Sequence, residues 1–103
     1  MDATDEKILA QINSDEIVQL AVTMGNLYSP TGQEQGMAAF AFDWMENNGF
    51  EPKRIGQTKE RENVLGRYRG TGGGLALTFN SHMDVTLGKN EIWRCGVLPP
   101  TWQ

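Results

Sequence analysis

The sequence predicts an α/β fold: two N-terminal amphipathic helices packed on a small, mostly buried sheet. Three observations predict it. Apolar residues recur at three- and four-residue spacing through most of the first half of the chain. Short apolar runs bounded by turn residues replace that spacing after residue 50. A Gly-Thr-Gly-Gly-Gly cluster at residues 70–74 separates two of those runs, as the turn of a hairpin would.

The first helix is expected to begin at Ser14. Its hydroxyl suits an N-cap, and Asp15 and Glu16 place negative charge where the helix dipole favours it. Ile17, Leu20, Ala21, Met24 and Leu27 then fall on one face. Tyr28-Ser29-Pro30 ends the helix, because a proline drives its predecessor out of helical geometry. The second helix is expected from a capping box between Thr31 and Glu34, with Met37, Phe40, Ala41, Trp44 and Met45 as its apolar face. Asn48-Gly49 stops it, Gly49 being suited to a left-handed cap. Each helix has one apolar face, so the two are expected as an antiparallel pair lying on the sheet.

Residues 50–58 read as a strand that Pro52 confines to an edge or strand-start position. Residues 63–69 read as a second strand, packing through Val64, Leu65 and Tyr68. Residues 75–79 form a near-continuous apolar run, the pattern of a strand buried on both faces, and are expected to pair with 63–69 across the glycine turn.

Length and composition bound the function. The chain has 103 residues, 39% hydrophobic and 21% charged, which fits one small globular domain and not a disordered segment. A net charge of −4 argues against nucleic acid or an anionic membrane as the main partner. Arg67-Tyr68-Arg69-Gly70 is a basic–aromatic patch, but one set in an acidic chain. The glycine cluster lacks the Gly-Lys-Ser/Thr of a phosphate cradle. The single cysteine, Cys95, excludes an internal disulfide and a thiolate-rich zinc site, and reads as a partly buried thiol. The acidic N-terminus is unlike a signal peptide, and the longest apolar stretches are too short to span a bilayer. A cytoplasmic location is expected.

The chemistry concentrates in Asn80-Ser81-His82-Met83-Asp84-Val85. His82 is the sole histidine, and a lone histidine is more often structural than a ligand. Two features favour a ligand here: its place at the end of the expected buried strand, and the His-x-Asp spacing. Residues two apart on an extended chain point the same way. Asp84 can then accept a hydrogen bond from the imidazole nitrogen that does not hold a metal, as carboxylates do behind zinc-bound histidines. The bland alternative is a His–Asp pair closing a polar turn.

The string Ser81-His82-Met83-Asp84-Val85 resembles the first metal-ligand motif of the M20 family of zinc-dependent peptidases and amidohydrolases. That family includes acetylornithine deacetylases, succinyl-diaminopimelate desuccinylases, aminoacylases and carboxypeptidases. Ser29-Pro30-Thr31-Gly32-Gln33-Glu34 is similar to the family's Ser-Pro-Ser-Gly-Glu-Glu helix start, and Asn63-Val64-Leu65-Gly66 to its Asn-Val-x-Gly strand. Trp93 falls near a tryptophan that often follows the histidine motif. The likeness runs over about residues 14–95. It departs after the aspartate, where Thr86 follows Val85 in place of the family's proline.

The resemblance implies that His82 binds one zinc of a pair and that Asp84 is the catalytic-site residue orienting it. It implies hydrolysis of an amide bond in an N-acyl amino acid or small peptide, with a water activated between two zinc ions and a glutamate as base. It also implies that residues 1–103 are the N-terminal portion of a catalytic domain. The bridging carboxylate, catalytic glutamate, other ligands and lid and dimerisation domain lie further along the family's chains. Glu34, Asp43 and Glu46 sit on a helix that the motif order does not bring to the site. The chain alone is therefore expected to bind zinc weakly at most and to lack amidohydrolase activity. Its expected partners are a small-molecule or peptide substrate in the full-length form and, through an exposed sheet edge, further copies of itself. The contrasting reading is a small non-catalytic α/β module for protein contacts.

Overall fold

A computed structural model describes residues 2–86. They fall into two units, residues 2–26 and 27–86. The elements are three helices and a two-stranded antiparallel sheet, so the fold is α/β. Trp93 and Cys95, singled out above, lie outside the described residues.

The first unit holds α1 (Ala3–Ala10) and α2 (Ser14–Gly25). Helix α1 is one more helix than the periodicity predicts. Its apolar spacing is weak, and what starts it is a reciprocal cap. The Asp2 carboxylate accepts the Asp5 N–H at 2.9 Å, and the Asp5 carboxylate accepts the Asp2 N–H at 3.2 Å. Helix α2 begins where expected, but its cap is Asn13 and not Ser14. Asn13 is extended, and its Oδ1 accepts the Glu16 N–H at 3.1 Å. Asparagine and serine cap about equally well, so the one-residue shift costs little.

The second unit is built on α3 (Gln35–Asn47), β1 (Glu51–Ile55) and β2 (Asn63–Arg67). Met37 and Ala38 of α3 are its buried apolar residues. The predicted stop at Gly49 is present. Gly49 takes φ +85°, and the Phe50 N–H reaches back to the Met45 carbonyl at 2.9 Å, closing the helix end in the Schellman manner. That turn feeds β1 directly.

Strand β1 pairs with β2 with Pro52 opposite Gly66 and Arg54 opposite Val64. A ladder bonded through residues 51, 53 and 55 needs no N–H from Pro52, which explains how a proline sits in this strand. The face carrying Pro52, Arg54, Val64 and Gly66 meets α3. The Arg54 guanidinium lies 4.7 Å from the centre of the Phe42 ring, and the Gly66 backbone lies against the Met45 side chain. At the end of the hairpin Phe50 stacks edge-on to Tyr68, with ring centres 5.2 Å apart.

The expected sheet is corrected in two ways. It is not mostly buried: one face is covered by α3, and the other exposes Ile55 and Leu65. The partner of 63–67 is β1, not residues 75–79. Those residues form no strand, and Leu75 and Phe79 are 103% and 88% exposed. A run that is apolar on both faces is stable as a strand only between two neighbours. Among the described residues it has none, whereas β1 lies within a short loop of β2.

Candidate functional site

Ser29-Pro30-Thr31-Gly32 and Met83-Asp84-Val85 meet side by side. The Val85 N–H donates to the Ser29 carbonyl at 2.8 Å, forming a parallel bridge between Pro30 and Val85. The Ser29 hydroxyl donates to the Met83 carbonyl at 2.9 Å, and Ser29 is only 1% exposed. Thus the backbone on both sides of Asp84 is fixed by one residue.

Residues 30–33 form a tight turn closed by the Gln33 N–H on the Pro30 carbonyl at 2.9 Å, with Gly32 at φ +92°. This is a type II geometry, whose third position needs a positive φ and so favours glycine. Thr31 is consequently free of the helix. Its hydroxyl donates to Asp84 Oδ2 at 2.7 Å. The expected capping box between Thr31 and Glu34 is therefore absent. The Glu34 carboxylate accepts the Gly32 N–H at 2.7 Å and both arms of the Arg61 guanidinium, at 3.0 Å and 3.3 Å. Both residues of the supposed cap are recruited by other partners, and α3 starts without a side-chain cap.

His82 stands on this platform. Its Nδ1 lies 3.0 Å from Asp84 Oδ1 and 2.9 Å from the Asp84 carbonyl oxygen. Both neighbours are acceptors, so in the neutral ring Nδ1 carries the proton and Nε2 is the nitrogen with the lone pair. The imidazole side chain is 82% exposed, and among the described residues Nε2 has no hydrogen-bond partner. The spacing argument and the structure therefore bring the same two side chains together. The strand expected before them is not formed.

Two carboxylates here ionise more readily than usual. The Thr31 hydroxyl, and after it the His82 ring, hold Asp84 below the ordinary aspartate value. The Gly32 N–H, and after it Arg61, hold Glu34 below the ordinary glutamate value. Asp84, after Glu34, adds to the field that favours the charged Arg61 guanidinium. Glu34 thus belongs to the base of the site, which the motif order did not suggest. The signal for it was present in the same hexapeptide that carries Ser29 and Thr31.

The sign of the Glu34 effect fixes a pH window. A carboxylate whose native pKa is depressed stabilises the fold above its unfolded value of about 4.3, and that contribution fades as pH falls toward the native value. Urea midpoints should drop below about pH 4.3 more steeply for the unchanged chain than for Glu34→Gln. Parallel curves would mean that the bonds to the Glu34 carboxylate, from the Gly32 N–H and Arg61, contribute nothing to the acid limb.

Among the described residues, no three His, Cys, Asp or Glu side chains gather as a metal site. No helix among them is long and apolar enough to cross a membrane.

No protein-family model matches the chain. Over 73 residues, 71% of its length, the chain is 37% identical to a protein from Deinococcus radiodurans named [LysW]-lysine hydrolase. The chain spans 18% of that relative's length. The likeness is thus to part of a hydrolase.

Proposed function

We propose that this chain is the N-terminal part of an M20-type, zinc-dependent amidohydrolase acting on the amide bond of an N-acyl amino acid or small peptide. In this reading His82 is one zinc ligand, through Nε2, and Asp84 is the carboxylate that orients it. The observation carrying the reading is the imidazole itself. Nδ1 is held by Asp84, the ring is 82% exposed, and the backbone beneath is tied down by Ser29. This is the donor arrangement in which histidine serves zinc, with its second nitrogen engaged by a carboxylate. A relative named [LysW]-lysine hydrolase supports an amino-acid derivative as the substrate class.

The described residues fit one ligand position. A catalytic zinc site takes three protein ligands and an open position, so the other ligands come from outside the described residues. When bound, zinc supplies a Lewis acid for the scissile carbonyl and lowers the pKa of a water molecule. What this chain does is hold the imidazole: Asp84 fixes its tautomer and makes Nε2 the more basic donor. With one ligand from the described residues, the chain alone is expected to bind zinc weakly and to hydrolyse no N-acyl amino acid.

Calorimetric titration of the metal-free chain with zinc tests this. The unchanged chain is expected to bind weakly, and His82→Ala more than about tenfold more weakly still. Superimposable isotherms would remove His82 from the ligand set.

A further inference from the structure

We infer that Thr31 is a positioning residue for His82, acting through Asp84: its hydroxyl holds the carboxylate in the rotamer that keeps the Nδ1 proton engaged and Nε2 facing outward. The inference deepens the reading of His82 as a ligand and rests on it for its functional meaning.

Three observations carry it. The imidazole is 82% exposed, so its orientation depends on its polar contacts more than on packing. Those contacts are both to Asp84, one to the carbonyl and one to Oδ1. Oδ2, the other carboxylate oxygen, is taken by Thr31 Oγ1 at 2.7 Å. Each carboxylate oxygen therefore has one defined partner, and the two bonds fix the plane of the group. Without the hydroxyl, Asp84 regains rotation about Cα–Cβ and Oδ1 leaves His82 for part of the time. The backbone carbonyl then remains as the only acceptor. Histidine in water prefers the proton on Nε2, so weakening the Nδ1 bond moves the ring toward the tautomer that offers the wrong nitrogen. Thr31 can do this because the Gly32 turn releases it from the helix start, and because the Pro30–Val85 bridge sets the two segments in register.

His82 is the chain's sole histidine, so its imidazole 15N resonances are unambiguous. They should be recorded on the metal-free chain, with the ring neutral, for the unchanged protein, Thr31→Val and Thr31→Ser. The Nδ1–H tautomer is expected to dominate in the unchanged protein and in Thr31→Ser. In Thr31→Val the resonances should move toward the Nε2–H form. Identical tautomer populations in Thr31→Val and the unchanged protein would overturn the inference. So would a Thr31→Ser chain that behaves like Thr31→Val. If Thr31→Val does not fold, the χ1 couplings of Asp84 in the unchanged chain decide: one rotamer is expected, and averaged couplings overturn it. No metal enters this readout. Superimposable zinc isotherms for the unchanged chain and His82→Ala would remove His82 from the ligand set and leave the tautomer result standing. Where zinc binds, Thr31→Val should weaken it on the order of tenfold, and equal affinity would count against the relay.

Discussion

Gly56→Ala is expected to destabilise the chain by about 1–3 kcal/mol, the usual range for an atom forced into filled space. A methyl carbon there would stand 2.8 Å from the Glu62 Cα and 2.9 Å from the Arg61 carbonyl oxygen. Both are backbone atoms, so neither can rotate aside. The turn must open, and with it the short 3-10 helix Lys59–Arg61 that presents Arg61 to Glu34. Gly70→Ala supplies the control, because a methyl at Gly70 meets nothing within 4 Å. Its expected effect is within about 0.5 kcal/mol. Urea denaturation of the two variants separates the cases, and equal midpoints would refute the close approach. Glu34→Gln should also cost less in the Gly56→Ala background than alone, since part of what it removes has already moved.

Ser29→Ala is the second large effect. The variant keeps the backbone bridge to Val85 but removes the hydroxyl that serves the Met83 carbonyl. Ser29 is buried, so water replaces that donor poorly, and the expected loss is about 1–3 kcal/mol. The loss should appear locally before it appears globally. Amide exchange at Val85 should quicken by about tenfold or more for each 1.4 kcal/mol of lost protection, while the paired amides of β1 and β2 change less. Unaltered exchange at Val85 would mean that the hydroxyl does not hold the His82 segment.

These residues also show what was legible before the structure. The features set by near neighbours were readable: the apolar face of α3, the glycine stop at residue 49, and the edge character forced by Pro52. Their physics lies within a few residues of chain. The pairing of His82 with Asp84 was readable for the same reason. The Thr31–Glu34 cap was misread because spacing identifies a possible acceptor, not its competitors. Arg61 and Asp84, 27 and 53 positions away from their partners, outbid the helix start. Residues 75–79 were misread because a two-sided apolar run specifies a strand only in the presence of flanking strands. Helix α1 was missed because its signal is the Asp2–Asp5 cap and not a hydrophobic period. The hexapeptide at 29–34 was visible only as a resemblance. Its physical meaning appears once Ser29, Thr31 and Glu34 are seen to hold three different parts of one site.

The Ser29–Met83 contact joins residues 54 apart, whereas the β1–β2 hairpin closes over a handful. Loop-closure entropy rises by about 0.6 kcal/mol for each doubling of length, so the longer closure costs about 2 kcal/mol more before any contact repays it. Helix α3 and its hairpin can form from local contacts, and the histidine loop must then find its seat across the intervening chain. The segment carrying His82 is therefore expected to dock after helix α3 and its hairpin have formed. Docking of that segment is then expected to be an equilibrium of its own, separate from the folding of the hairpin. A first metal ion that engages Nε2 would draw on that equilibrium as well as on the ligand, favouring the docked form by mass action.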